Sequence, residues 1–277
     1  MTSREPSLPS IDTTTAHPAR RYNYWLGGKD NFAADRQSAD AIEAIFPGIR
    51  TAAVENRRFL QRAVRYLVQE AGVRQFLDIG TGLPAADNTH DVAQRLAPQS
   101  RVVYVDNDRL VLAHARALLT SDPRGATAYL DADLREPGKI LADSALTDTL
   151  DLSEPIGLLL VAILHFIADT RQAYGIVRTL MDGLPAGSFL VISHATGDLL
   201  DPDTARSLAS GDLPGRGDFT GRTHAQISRF LDGLDPVPPG LTVISDWRPH
   251  PDTIAPPPEQ VCVYGAVARK PAAVASS

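Results

Sequence analysis

Residues 76–84 read Phe76-Leu77-Asp78-Ile79-Gly80-Thr81-Gly82-Leu83-Pro84. The mostly apolar residues before Gly80 predict a buried strand, and the glycines predict a tight turn that opens a helix. Asp106 ends the next apolar run, where the second strand of a βαβ unit would finish. Glycines let the backbone approach a ligand closely, and a carboxylate after the second strand can bind both hydroxyls of a ribose. The pattern predicts a site for a nucleoside cofactor.

Two nucleoside cofactors fit this loop, because residues 80–85 also match the dinucleotide pattern G-x-G-x-x-G/A. Asp78 favours S-adenosylmethionine, since a carboxylate there can meet the methionine ammonium, whereas a dinucleotide site keeps this position apolar beside pyrophosphate. Asp133 and Leu134, just beyond the third predicted strand, offer a carboxylate for the adenine amino group and an apolar side chain for its ring. The alternatives are that Asp78 caps the turn and that Asp133 is an ordinary turn residue.

Strands and helices alternate from residue 75 onward. Apolar runs predict strands at 75–79, 101–105, 126–130, 156–161 and 188–193. Segments with helical periodicity separate them at 88–96, 110–119, 140–146 and 170–184, and two helices precede them, one before Pro47 and one ending near Gly72. Strands that are apolar on both faces and separated by helices indicate a parallel sheet.

The last part of the chain breaks this alternation. Residues 197–218 are polar and glycine-rich, which predicts a long loop or lid. A helix at 223–231 leads to apolar runs at 241–244 and 261–267, with a proline-rich insert at 249–258 between them. Two strands joined without a helix favour an antiparallel hairpin at the sheet edge. The predicted fold class is therefore α/β, with a mostly parallel seven-stranded sheet, an antiparallel edge hairpin and N-terminal helices.

Composition excludes several classes of protein. The 277 residues are 43% hydrophobic and 22% charged, as in a soluble globular protein, and the formal net charge of −6 argues against a nucleic-acid partner. Cys262 is the one cysteine, which excludes an internal disulfide, and we expect no metal site because the histidines do not cluster at ligand spacing. The longest apolar run, 156–167, is too short to span a membrane, and the N-terminus lacks an apolar signal core. We expect a cytoplasmic protein without a membrane partner.

Five motifs give the chain a family resemblance. The motifs are RYNYWLGGKDNF at 21–32, NRRFL at 56–60, the loop at 78–84, VYVDND at 103–108 and LHFI at 164–167. With them the chain resembles class I S-adenosylmethionine-dependent methyltransferases, and more closely an actinobacterial family once known only as a domain of unknown function and now called S-adenosyl methyltransferase. Pro84 departs from the broad class, where a third glycine is common. The resemblance implies a Rossmann-like class I methyltransferase fold and S-adenosylmethionine as cofactor, and it adds little about the substrate.

The predicted cofactor site collects residues from the ends of several strands. The glycine loop would surround the methionine half, Asp106 would bind the ribose, and the residues after the second and third strands would surround adenine. The predicted cofactor-binding residues are Tyr22, Asp78, Gly80, Gly82, Leu83, Asp106, Asn107, Asp133, Leu134 and Ala162.

Methyl transfer is an in-line displacement, so much of the catalysis can come from holding the acceptor in place. A general base is needed only if the acceptor loses a proton as it reacts. His165, just after the fourth strand, is the best candidate for this catalytic role, and its alternative role is loop packing beside the cofactor. His194 either lines the substrate side or is a satisfied polar residue. Ala162 has no acid or amide, so the Asn/Asp-Pro-Pro-Tyr signature of amino-group methylation is absent.

Residues 22–32 are too irregular for a strand and too apolar for a tail. We interpret them as a lid in which Tyr22 or Phe32 contacts the ligand; the alternative is a turn anchored on the core. Arg57 or Arg58 would bind the cofactor carboxylate or an acidic substrate, unless both are solvated helix charges.

We divide the chain into a disordered tail at 1–18, an N-terminal helical lid segment at 19–74, an S-adenosylmethionine-binding methyltransferase domain at 75–270 and a disordered tail at 271–277. The leading hypothesis is a methyltransferase acting on a small molecule. The alternatives are a non-catalytic S-adenosylmethionine sensor and an NAD-dependent oxidoreductase. The acceptor atom and the oligomeric state are left open.

Overall fold

The computed structural model describes residues 12–118, 120–209 and 219–272. The strands in these residues are β1 (Gln75–Ile79), β2 (Arg101–Asp106), β3 (Ala126–Asp131), β4 (Ile156–Val161), β5 (Phe189–Ala195), β6 (Asp235–Pro236), β7 (Thr242–Val243) and β8 (Val263–Arg269). They form one sheet with the order β3-β2-β1-β4-β5-β8-β6, and β7 also pairs with β8. The first five strands are parallel, and β8 is antiparallel to β5.

The antiparallel edge of the sheet confirms the predicted pairing of residues 241–244 with 261–267. In that pairing Thr242 lies opposite Gly265 and Val243 opposite Tyr264. The described sheet has eight strands rather than the expected seven, because β6 pairs with β8 in addition to β7. Both β6 and β7 are only two residues long. Pro236 in β6 has no N–H to donate, which suits an edge position. A strand of two residues carries no periodicity that the sequence could reveal.

The helices of the described residues are α1 (Pro18–Trp25), α2 (Ala33–Ile45), α3 (Ile49–Gln69), α4 (Thr89–Leu96), α5 (Arg109–Leu118), α6 (Pro137–Ala142), α7 (Ser144–Thr149), α8 (Thr170–Asp182), α9 (Pro202–Ala209), α10 (His224–Ser228) and α11 (Pro258–Val261). Short 3-10 turns lie at 164–166, 229–231 and 244–246. No helix in the described ranges combines the length and apolarity that a membrane crossing requires.

Three predicted segments differ from the observed ones. The helix expected at 140–146 is two helices, because Asp143 is extended between them and its side chain accepts the N–H of Ala145. The helix expected at 223–231 is α10 followed by a 3-10 turn. The loop expected at 197–218 contains α9, and residues 210–218 lie outside the described part. Residue 119 of the predicted helix and residues 1–11 and 273–277 of the predicted tails also lie outside it.

Helices cover both faces of the sheet, and a hydrophobic cluster fills each interface. Leu77 and Ile79 pack with α6, α7 and α8, whereas Phe76 packs with α3 and α4 on the opposite face. Leu158 packs in the same cluster as Leu77, and Leu159 packs in the cluster of Phe76, because successive strand residues point to opposite faces. Burial on both faces explains why the parallel strands are nearly continuous apolar runs.

The N-terminal segment, residues 12–32, is attached to the fold through α2. The Asp35 carboxylate accepts the N–H groups of His17 and Phe32, both at 2.8 Å, and lies 3.4 Å from Nε of Arg20. Arg20 also donates to the carbonyls of Asp12 and Thr15. Residues 12–17, which the sequence assigned to a tail, are therefore held by hydrogen bonds, and α1 is a regular helix rather than an irregular turn.

We expect the variant Asp35→Ala to lower the free energy of unfolding by about 2 kcal/mol, because it leaves two partly buried N–H groups without an acceptor and the buried Arg20 without its carboxylate. Urea denaturation measures this loss. Asp35→Asn keeps one side-chain oxygen and should lose about half as much. Equal stability of Asp35→Ala and the parent protein would show that Asp35 does not hold the segment.

Candidate functional site

A cavity of about 880 Å³ lies at the carboxyl ends of the parallel strands. Residues that end or follow β1, β2, β3, β4 and β5 line it from the sheet side, and residues of α1, α2 and α3 line it from the other side. Ligands of open α/β sheets bind at this edge. All ten predicted cofactor-binding residues and His165 line this one cavity.

The glycine loop after β1 requires glycine at two positions for different reasons. Gly80 has φ +75°, and a Cβ there would lie 2.5 Å from the side chain of Ile163. Gly82 has φ +68°, and a Cβ there would meet no atom within 4 Å. Leu83 is 8% exposed and packs with Leu110 and Val111. The loop is thus anchored by Leu83 and leaves open space beside Gly82.

Asp106 fixes the glycine loop from the end of β2. One carboxylate oxygen accepts the N–H of Gly82 at 2.9 Å, and the other accepts the N–H of Asp108 at 2.9 Å. Burial raises the pKa of Asp106, while these two N–H groups act in the opposite direction. Each oxygen retains acceptor capacity for a ligand hydroxyl.

Asp78 and Arg57 place opposite charges at one end of the cavity. The Asp78 carboxylate is 7% exposed and accepts a hydrogen bond of 2.6 Å from Oγ1 of Thr89. Burial raises the pKa of Asp78 to about 6, against the opposing effects of Thr89 and Arg57. The Arg57 guanidinium donates to the carbonyls of Ala86 and Asp87, and its Nε is buried without a hydrogen-bond partner in the described structure. Arg58 instead is exposed and pairs with the buried carboxylate of Glu55.

Asp133 and Asn107 lie at the opposite end, beyond β2 and β3. The Asn107 side-chain amide donates to Oδ2 of Asp133 at 3.3 Å. The other Asp133 oxygen accepts the N–H of Arg135 at 2.8 Å, so Asp133 also has the turn role considered as its alternative. Leu134 is 6% exposed and adds an apolar side chain to the cavity wall.

A chain of buried hydrogen bonds connects α1 to the end of β4. Tyr22 donates to the carbonyl of Ala53 and accepts from the Asn56 amide at 2.9 Å. The Asn56 carbonyl oxygen accepts from the Ser193 hydroxyl at 2.6 Å, and that hydroxyl accepts the N–H of Ala162 at 2.9 Å. Ala162 has φ +56°, a conformation that costs energy for a residue other than glycine. The network holds this backbone in place and occupies the Tyr22 hydroxyl.

Phe32, the other aromatic residue considered for ligand contact, packs against the Leu83 cluster instead.

His165 is 8% exposed, and its Nδ1 atom is buried without a partner among the described residues. Burial, with smaller contributions from His194 and Arg222, holds the pKa of His165 well below its usual range. The imidazole is therefore neutral, and it is a weak base. His194 is a satisfied polar residue, because its Nδ1 lies 2.8 Å from the Ala195 carbonyl and its Nε2 lies 2.8 Å from Arg222.

Arg222 is the functional-site residue that the sequence did not indicate. It is 1% exposed and donates to the carbonyls of Leu164 and Ile167 and to the hydroxyl of Thr170. These groups lie 52 to 58 residues away from Arg222 in the sequence, so no local pattern identifies this arginine. It ties together the turn that carries His165 and the end of β5.

No set of three or more His, Cys, Asp or Glu side chains in the described residues is arranged to hold a metal ion.

Comparisons with known proteins identify the family of this chain. A profile of the family described as S-adenosyl methyltransferase matches residues 4–271. The structure of a DUF574 family protein from Streptomyces avermitilis MA-4680 is similar, with 45% identity, a TM-score of 0.87 and coverage of 95% of this chain and 100% of that one. A candidate methyltransferase from Thermobifida fusca YX has 38% identity, a TM-score of 0.84 and coverage of 95% and 98%.

More distant structures share only the fold. The mitomycin 7-O-methyltransferase MmcR has 17% identity and a TM-score of 0.50, with coverage of 80% of this chain and 56% of that one. No protein of curated function matches the sequence. The predicted class I methyltransferase fold is confirmed.

Proposed function

Because this chain belongs to the S-adenosyl methyltransferase family, we propose that it transfers the methyl group of S-adenosylmethionine to a small molecule held in the cavity beneath α1. S-adenosylmethionine is the cofactor of the family, so this prediction from the sequence is confirmed. The sensor and the NAD-dependent oxidoreductase, which were the two alternatives, have no support.

The volume of the cavity and the position of α1 across it support the proposal that the acceptor is a small molecule. Its volume of about 880 Å³ lies within the range of roughly 300–1,000 Å³ that is typical of small-molecule sites. Helix α1 lies across it, with the Tyr22 hydroxyl bonded to α3. Such a roof admits a molecule that fits inside the cavity and excludes a folded protein or a nucleic-acid duplex.

The residues fit the cofactor group by group. Asp78 would pair with the methionine ammonium, and Arg57, whose buried Nε has no partner in the described structure, would bind the methionine carboxylate. Asp106 would accept from the ribose hydroxyls, and Asp133, Asn107 and Leu134 would surround the adenine. The open space beside Gly82 allows the close approach of a ligand to the loop.

When bound, the cofactor supplies a methyl group on a positively charged sulfur. The contribution of this chain is then to orient the acceptor and exclude water. Ala162, Ile163 and His165 follow β4 and line the cavity beside the proposed methionine site. Because His165 is a weak base, its proposed role is to orient the reacting group through a hydrogen bond rather than to remove a proton.

Incubation with methyl-labelled S-adenosylmethionine and fractionated cell extract tests this function. We expect label in low-molecular-weight metabolites, and Asp106→Ala should abolish it. Label confined to protein or nucleic acid would overturn the small-molecule acceptor. Cofactor binding without labelling of any fraction would overturn transfer.

The raised pKa of Asp78 predicts pH-dependent cofactor affinity. Protonation of Asp78 competes with cofactor binding, because only the ionised carboxylate pairs with the ammonium. Without ligand, the pKa of Asp78 is about 6. Affinity should therefore fall by about tenfold between pH 7 and pH 5 and change little just above pH 7. Calorimetric titration with S-adenosylmethionine measures this. Asp78→Asn should bind weakly and without this dependence, whereas a flat profile for the parent protein would rule out the ammonium contact.

A further inference from the structure

The cavity continues beyond the proposed cofactor site toward β5 and β8. Since the sheet order is β3-β2-β1-β4-β5-β8, the proposed adenine, ribose and methionine contacts follow the sheet from β3 to β4. The remaining part, which we call the acceptor lobe, lies where Ala195 of β5 pairs with the start of β8. Its walls include Phe46, Ile49, Leu200, Leu208, Cys262 and Val263.

The acceptor lobe is apolar. The six wall residues belong to a third hydrophobic cluster, in which Phe46 and Cys262 are buried. Val263 also packs against the cluster between α3 and the sheet. The carboxylates proposed to bind the cofactor, Asp78, Asp106 and Asp133, all lie on the other side of β4 in the sheet order. Apolar walls gain free energy by covering apolar surface of a ligand.

Within the described residues, helix α1 brings an unpaired hydrogen-bond donor to the cavity. Its first turn lies over the cofactor side, because Ala19 packs with Leu83 and His17 pairs with Asp108 at 3.2 Å. Its last turn lies over α3, because Arg50 donates to the Tyr24 carbonyl. Trp25, the last residue of α1, lines the cavity, and its buried indole N–H has no partner within the described part of the chain.

A positive charge lies beside the end of β5, where the backbone N–H of Arg222 bonds to the Ala195 carbonyl. Arg222 lines the cavity and is buried, and its hydrogen bonds in the described structure go to carbonyls, a hydroxyl and the neutral His194 rather than to a carboxylate. Asp169 acts on Arg222 only at longer range, and the carboxylate of Asp198, an exposed residue at the cavity rim, accepts the His224 N–H. A buried cation without a paired carboxylate favours an anion in the adjacent space.

We propose that the acceptor is an apolar, ring-sized molecule whose methylated group is an acidic hydroxyl, either a phenol or a carboxylic acid. This rests on the proposed function. The hydroxyl loses its proton to water before reaction, and the Arg222 charge stabilises the oxygen anion. That oxygen forms a bond to the methyl carbon as the carbon–sulfur bond breaks, with the electron pair passing to sulfur. No protein base is needed, which agrees with the environment of His165.

Matched probes test this with the protein saturated with S-adenosylhomocysteine. Calorimetry compares the affinities of three probes. 2-Naphthoate is an apolar anion, 2-naphthylmethylammonium is an apolar cation of similar size, and gluconate is a polar anion. We expect 2-naphthoate to bind at least about tenfold more tightly than each of the other two. Equal or tighter binding of 2-naphthylmethylammonium or of gluconate, or no binding of 2-naphthoate, would overturn the acceptor class.

A pair of variants locates the probe in the lobe. Leu208→Asp adds a carboxylate to the apolar wall and should weaken 2-naphthoate binding at least about tenfold, with Leu208→Asn intermediate. Both should bind S-adenosylhomocysteine like the parent protein. Unchanged 2-naphthoate affinity in Leu208→Asp would place the probe elsewhere and overturn the proposal. A parent protein that fails to bind S-adenosylhomocysteine would instead overturn the proposed function.

Discussion

The variant Asp106→Ala is expected to bind S-adenosylmethionine about 100-fold more weakly than the parent protein, or worse. Asp106 is proposed to accept both ribose hydroxyls, and it also accepts the N–H of Gly82, which shapes the glycine loop. Each hydrogen bond to a charged acceptor contributes about 1.5–3 kcal/mol, so the loss of two reaches this size. Calorimetry should give the same ratio of variant to parent dissociation constants for S-adenosylmethionine and for S-adenosylhomocysteine, because the ribose is common to both.

Two control variants separate the ribose contact from general damage to the loop. Asp106→Asn keeps one acceptor oxygen and should fall between Asp106→Ala and the parent protein. Asp108→Ala removes a neighbouring carboxylate that lies 3.2 Å from Nδ1 of His17 and accepts the Leu110 N–H at 2.9 Å, and we expect only a few-fold change in affinity. If Asp106→Ala binds the cofactor as tightly as the parent protein, the assigned ribose role is wrong.

The sheet and the cofactor end of the cavity were predictable from the sequence for a physical reason. Strands buried on both faces are apolar throughout, so the run at Phe76 and its counterparts are visible without an alignment. The carboxyl ends of parallel strands meet at one edge, so residues as distant as Asp78 and Asp133 share a cavity once the strand order is known. The family resemblance then selected S-adenosylmethionine.

The acceptor side was not predictable in the same way, because its contacts join residues with no local pattern. Ser193 and Asn56 are 137 residues apart, and their hydrogen bond indirectly holds the strained backbone of Ala162. Helix α1 is only eight residues long, which is too short for periodicity to distinguish it from an irregular segment. Such elements become visible only when tertiary packing places them together.

Arg222→Met is expected to lower the free energy of unfolding by about 4 kcal/mol. Methionine has a similar length but leaves the buried carbonyls of Leu164 and Ile167 without donors, at about 1–3 kcal/mol each. It also leaves Nε2 of His194 without its donor at 2.8 Å. Urea denaturation measures the loss, and the turn at 164–166 should become the first region to exchange its amide hydrogens.

Arg229→Met is the matched control, because Arg229 is exposed and its guanidinium lies 4.7 Å from the centre of the Tyr174 ring. Loss of this surface contact should cost less than about 1 kcal/mol. Arg222→Lys retains the charge but offers three donors from one nitrogen, so it cannot reach carbonyls on both sides and should recover only part of the stability. A loss in Arg222→Met no larger than in Arg229→Met would show that the buried guanidinium does not hold the turn. The positive charge that Arg222 brings to the cavity wall would then be its remaining role.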